Sequence, residues 1–205
     1  MSKNITISGV SAAGKTTIIN SLSDKYNTFT EIKSDSVISF WYEKSIQGKT
    51  TNHFAKMIML ASRLSYCVNN LKSKKDSIHD RGLIDLLVAN ELRIKSRDRD
   101  FYDNFKKEIV SSLEEIKKDR NIFQFYIVLE IEFDEFKKRI LERGRKNEVN
   151  NIKRDDSWYR NYHKEYNKLT VKYLEEFNIP YKVINTTRFS KEETKESVLN
   201  LLNKI

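Results

Sequence analysis

ITISGVSAAGKTT, residues 5–17, changes character twice in thirteen positions. An apolar run of the kind that makes a buried strand ends at Gly9. A loop of small residues follows, and Lys15, Thr16 and Thr17 then open a helical pattern over 15–25. Gly9-Val-Ser-Ala-Ala-Gly14-Lys15-Thr16 satisfies G-x-x-x-x-G-K-[ST] in full, between a strand and a helix, the context that gives the pattern its meaning. The chemistry follows from the backbone. Glycines let the chain wrap closely round an anion, and the amides of residues 12–16 converge at a helix N-terminus, where negative charge is favoured. Lys15 reaches toward the β and γ phosphates, and the Thr16 hydroxyl suits Mg²⁺. The expected nucleotide-binding set is Gly9, Ser11, Ala12, Ala13, Gly14, Lys15, Thr16 and Thr17, with ATP or GTP and Mg²⁺ as the ligands, ATP once the guanine-reading parts are found missing.

Outward from this loop, apolar patterns alternate along the chain. Strands are expected at 3–9, 28–33, 76–79, 122–131 and 180–184. Helices are expected at 15–25, 52–73, 83–94, 100–117, 133–143, 157–177 and 190–203. Of the strands, 76–79 is the weakest pattern because it is polar. Such alternation implies an α/β fold around a parallel sheet, in a single domain spanning 1–205. The polar, charged stretch 144–156 reads as a lid.

Composition bounds the partners. With 205 residues the chain suits one full hydrophobic core. The lone Cys67 and three His leave no disulfide framework and no His/Cys zinc site. No apolar run approaches a membrane span of about 18 residues, and a strand pattern starts almost at once, so a reducing cytoplasm is expected. The net charge of +9 fits acidic partners such as nucleotides. A nucleic-acid partner would need a continuous basic groove with stacking aromatics, which the sequence does not display.

A guanine-nucleotide switch lacks its parts: Asn167-Lys168 is followed by Leu169 and Thr170, and Asp80-Arg81-Gly82 lacks a glycine at 83. A kinase needs an acid near the acceptor hydroxyl, a metal ligand and cations round the moving phosphoryl. Asp80, at the end of the third strand, faces the same crevice as the loop and can serve the metal. Arg81 can bridge acceptor and phosphate. Asp35 is the general-base candidate, with Glu31 and Glu43 competing, and Trp41 could stack on a base. In KKRILERGRKNE, 137–148, Arg139 and Arg143 share a helix face and Arg145 continues beyond Gly144. Their guanidinium forks suit phosphates, and a lid bearing them would exclude water.

These residues together resemble the deoxynucleoside kinases, close relatives of thymidylate kinase. The phosphate loop, DRG at 80–82, Arg139-x-x-x-Arg143-x-Arg145-x-x-Glu148 and WYRNYHKEY at 158–166 carry the resemblance, with VINTTRFSKEE near the end similar to the family's last strand and adenine-side loop. The resemblance implies a P-loop kinase with a parallel five-stranded sheet in the order 2-3-1-4-5. It implies that Asp35 or Glu31 activates the 5′-hydroxyl, Asp80 assists Mg²⁺, and Arg81 lies near the acceptor oxygen. Arg139, Arg143 and Arg145 would close on the phosphates, Glu148 would hold the sugar, and Thr187 would approach adenine. It also implies a homodimer through the 52–73 and 83–117 helices. The sequence departs from the family pattern in places. Asp35 precedes Trp41 by six positions with no proline, Lys56 stands where the family has a base-reading Gln, and Gly82 stands where it has Ser. Lysine lacks the acceptor that an amide offers a base. Arg63 resembles the base-side arginine of thymidylate kinase.

The leading expectation is transfer of the ATP γ-phosphoryl to the 5′-hydroxyl of a (deoxy)nucleoside. The alternative is transfer to a (deoxy)nucleoside monophosphate, with a polynucleotide 5′-kinase or a non-enzymatic ATP-binding module further behind.

Overall fold

The strands fall in the order β2-β3-β1-β4-β5, every neighbouring pair parallel. They are β1 (Ser2–Ser8), β2 (Asn27–Phe29), β3 (Ser77–Asp80), β4 (Ile122–Glu130) and β5 (Tyr181–Asn185). This is a computed structural model, and it describes residues 2–30, 40, 44, 52–72, 76–118 and 122–205. Among these, helices connect or follow the strands: α1 (Lys15–Asn20), α2 (Asn52–Lys72), α3 (Leu83–Arg93), α4 (Arg99–Lys118), α5 (Phe133–Arg143), α6 (Lys146–Arg154), α7 (Asp156–Glu176) and α8 (Lys191–Leu202).

The central strands read as unbroken apolar runs because helices cover both faces of the sheet. Ile5, Ile7, Ile127, Val128 and Leu129 are buried. α3 is buried along Leu83–Asn90, as expected of a helix with hardly a polar side chain over that span. α4 buries only Tyr102, Phe105, Ile109 and Leu113, one stripe of an otherwise charged helix.

Two expectations need physical amendment. The polar strand Ser77-Ile-His-Asp80 is buried at every position, although its composition argues against it. Two of its polar side chains meet each other: Ser77 Oγ and His79 Nε2 lie 3.0 Å apart, and the His79 ring stacks on Phe29 at 4.9 Å. The stretch 144–156 is mostly helix. Gly144 ends α5 in the left-handed region at φ 66°. α6 then runs on with Ile152 buried, and Asp155 caps α7 by accepting from the Trp158 amide at 2.9 Å.

The topology positions the site. β1 lies between β3 and β4, so the loop after Ser8 and the turn after Asp80 leave the sheet side by side, with Ile7 in register with Asp80. Ligands of open parallel sheets bind at such carboxyl ends, where strand order reverses.

Candidate functional site

The loop after β1 needs its first glycine for two reasons. Gly9 sits at φ 135°, and a Cβ there would meet the Leu129 carbonyl oxygen at 2.4 Å. The chain then turns through Ala12 at φ 60° into α1. Lys15 is buried and curls over its own loop, with Nζ donating to the carbonyls of Gly9 at 3.0 Å and Val10 at 2.8 Å. Thr16 Oγ1 donates to Asp80 Oδ2 at 2.8 Å, so the proposed metal pair is in contact across the β1–β3 gap.

The loop, the Asp80 turn and the arginine-bearing helix end face one cleft of about 680 Å³. Ser11, Ala12, Ala13, Gly14, Lys15, Thr16, Thr17, Asp80, Arg81, Arg139, Arg143 and Arg145 all line it, so residues read from three separate motifs converge. The far wall is Phe189, Ser190, Lys191 and Thr194, and Glu135 and Glu142 add two acids. Phe189, Ser190 and Lys191 fall within the stretch that resembles the family's adenine-side loop, whereas Thr194, Glu135 and Glu142 did not stand out in the sequence. The signal that was present is Ser190-x-x-Glu193, a capping box that opens α8 and orients this wall.

Arg81 adopts φ 68°, unusual for a side-chain-bearing residue. Its backbone is held on both sides: its amide donates to the Ile7 carbonyl at 3.1 Å, and Arg63 Nη1 donates to its carbonyl. Arg63 also donates to the Asp80 carbonyl at 3.2 Å. Arg63 thus sits on the backbone of the Asp80-Arg81 turn. Lys56 is buried on α2, and neither residue lines the cleft. Glu31, Asp35 and Trp41 lie outside the described residues.

Gly82 has a structural cause. Its backbone is extended, but a Cβ would meet the Tyr126 hydroxyl at 2.1 Å and Thr6 Oγ1 at 3.1 Å. The Tyr126 phenol fills the space a serine would take. His79, next to Asp80, is held neutral, its pKa lowered to about 3 by burial and by the nearby Arg63 charge.

Arg139 fixes the lid side. Its Nε donates to Glu135 Oε1 at 2.8 Å and its Nη2 to the Thr186 carbonyl at 3.1 Å. The hydrogen bond from Arg139 holds the Glu135 carboxyl below the ordinary carboxylate range. Glu148, expected at a sugar, is here paired with Arg143 Nη2 across the Gly144 turn and lies 3.8 Å from Arg145 Nη1. Thr187 Oγ1 accepts from the Glu132 amide at 2.9 Å, pinning the loop after β5, but Thr187 does not line the cleft.

A phosphate loop at the centre of a 2-3-1-4-5 sheet, faced by an Asp-Arg turn and an arginine-bearing helix end, is the P-loop kinase arrangement. Residues 5–159 match the family described as an AAA domain, and the chain belongs to that family. A deoxyadenosine kinase from M. mycoides, solved with the products dCMP and a flexible dCDP, superposes with a TM-score of 0.67 at 21% identity, covering 98% of this chain and 100% of that one. Thymidylate kinase from Candida albicans gives 0.67 at 12% identity, covering 99% and 92%. An uncharacterized protein of Mycoplasma genitalium is 23% identical over 189 residues, 88% of this chain and 82% of that protein. The fold is that of the P-loop nucleoside and nucleotide kinases. Among the described residues no helix is long and apolar enough to cross a membrane.

Proposed function

We propose that the protein is a deoxynucleoside kinase, moving the ATP γ-phosphoryl to the 5′-hydroxyl of a (deoxy)nucleoside. The observation that carries this is the convergence of Lys15, the Thr16–Asp80 pair, Arg81 and the lid arginines on one cleft. The likeness to a deoxyadenosine kinase over nearly the whole of both chains supports it.

The chain's own residues divide the work. The loop amides and Lys15 bind and orient the donor phosphates. Arg81 holds charge near the transfer point, and Arg139, Arg143 and Arg145 close over it and exclude water, so that transfer outruns hydrolysis. Thr16 and Asp80 would hold Mg²⁺, which neutralises charge developing between the β and γ phosphates. The pair fits that ion. Among the described residues no group of three or more His, Cys, Asp and Glu offers an all-protein metal cage, and Mg²⁺ takes one or two protein oxygens alongside waters and phosphate oxygens. Asp35, or Glu31 in its place, takes the proton of the acceptor hydroxyl. Trp41, Lys56, Arg63 and Glu148 belong to the acceptor side, and Thr187 to the adenine side. A cytoplasmic homodimer through α2, α3 and α4 completes the reading.

The equal superposition on thymidylate kinase supports a second reading, in which the acceptor is a (deoxy)nucleoside monophosphate. A transfer panel separates the two: ATP and Mg²⁺ with each nucleoside, each monophosphate and a 5′-hydroxyl oligonucleotide. Transfer to nucleosides is expected. Transfer to monophosphates with none to nucleosides would replace the first reading by the second.

A further inference from the structure

Asp85, in the first turn of α3, is 1% exposed, yet it is an ionisable side chain in a helix face that is otherwise apolar. A buried carboxylate persists only if hydrogen bonds replace its lost water. Here three donors do so, from three different parts of the fold. The Gly82 amide donates to Oδ2 at 2.9 Å, Ser8 Oγ donates to Oδ1 at 2.6 Å, and the Tyr166 hydroxyl donates to Oδ1 at 2.9 Å. The bond to Gly82 is ordinary capping of α3. The other two have no part in capping. Ser8 is the last residue of β1, directly before Gly9, and Tyr166 comes from α7.

The hydrogen-bond directions are decided by chemistry. A carboxylate only accepts and a guanidinium only donates. Tyr166 has one proton, which goes to Asp85, and its oxygen then faces Arg81 Nη1 as an acceptor at 3.2 Å. Burial holds the phenol well above its ordinary pKa, so it keeps that proton. The Arg81 guanidinium also lies over the Tyr166 ring, 5.6 Å from its centre.

We propose that Asp85 is a positioning residue that acts through the Tyr166 hydroxyl to fix the Arg81 guanidinium, and through Ser8 to tie that setting to the base of the phosphate loop. Asp85 does not line the cleft, and its effect on turnover rests on the kinase reading above. Its geometric claim does not. An Asn at 85 would turn one acceptor oxygen into a donor among donors, and the Tyr166 hydroxyl would lose its fixed direction.

The test is a mutant cycle on Arg81→Ala, Tyr166→Phe and Asp85→Asn, singly and in pairs, read by thermal unfolding and by turnover on the acceptor that the panel identifies. Tyr166→Phe removes one buried oxygen and keeps the ring, so it stands in if Asp85→Asn does not fold. Misplaced Arg81 is expected to cost about 10²-fold in kcat, with the ATP KM unchanged within about twofold. In the Arg81→Ala background, Tyr166→Phe should cost nothing further in kcat, and the melting shifts of the pair should fall short of their sum. A full additional loss of kcat in that background, a loss confined to the ATP KM, or additive melting shifts would overturn the proposal. If the parent protein phosphorylates neither nucleosides nor monophosphates, the kinase reading falls, and the thermal cycle alone decides the coupling.

Discussion

The phosphate loop and the Asp80–Gly82 turn leave adjacent strands and face the same cleft, but they are built in opposite ways. The loop is made by consecutive residues. Its binding groups are backbone amides, its shape comes from glycine conformations, and its charge comes from Lys15 one residue beyond Gly14. The turn is held by side chains from elsewhere: Arg63 of α2 on its carbonyls, Tyr126 of β4 against Gly82, and Tyr166 of α7 on Arg81. It also carries a positive φ at Arg81, a conformation that costs of order 1–3 kcal/mol and needs its surroundings to hold it. A device made of backbone can be read from a contiguous motif. A device made of imported side chains is spread over the chain and has no local signature.

Substitutions can break or sharpen this contrast. The largest effect is expected from Lys15→Ala, which removes the loop's fixed cation and should lower kcat/KM by at least about 10²–10³-fold, a loss larger than the drop in stability from the Gly9 and Val10 carbonyls that Nζ leaves without a donor. Retained turnover would show that the cradle works without its lysine. At the turn the balance reverses. Arg63→Ala strips the donor from two backbone carbonyls and should cost about 2–3 kcal/mol, seen in chemical denaturation. A stability equal to the parent's would mean that the turn holds itself.

Gly82→Ser forces a side chain onto the Tyr126 hydroxyl and should cost about 1–3 kcal/mol, a drop of roughly 2–12 °C in melting temperature. Adding Tyr126→Phe removes the atom at 2.1 Å but leaves the ring carbon at 3.0 Å, so it should restore part of that loss. If Tyr126→Phe brings no recovery, the phenol is not what demands glycine.

The last effect concerns pH. The His79 pKa is depressed in the folded state to about 3 from an ordinary 6.5, so its neutral form is the native one. Its contribution is present above pH 6.5 and is lost as pH falls toward about 3. The difference in melting temperature between the parent and His79→Gln should shrink over that window, and a difference independent of pH would remove His79 from the acid response.

Much of the fold was legible because periodicity is local. The helix expected at 133–143 is α5 itself, and the helices expected at 83–94 and 157–177 differ from α3 and α7 by a residue or so at their ends. The stretch 144–156 reads from sequence as a polar, charged lid and not as a helix, because Ile152 is the one buried side chain among the described residues of α6. The SIHD strand escaped a firm reading because hydropathy cannot show that Ser77 and His79 satisfy each other. At the site, the arginines at 139, 143 and 145 were legible from spacing alone. Glu148 was legible as the last charge of the same stretch, whereas its pairing with Arg143 arises only where Gly144 turns the chain between α5 and α6.

By itself the sequence determined the phosphate loop and the alternation that makes a parallel sheet, since each element depends on residues within a few positions of one another. Only the tertiary structure decided why residue 82 is glycine, what Arg63 holds, and that Asp85, Tyr166 and Ser8 share one buried network. Those are contacts that side chains make with residues up to 81 positions away. Their energy depends on where packing places them, and no local pattern encodes that.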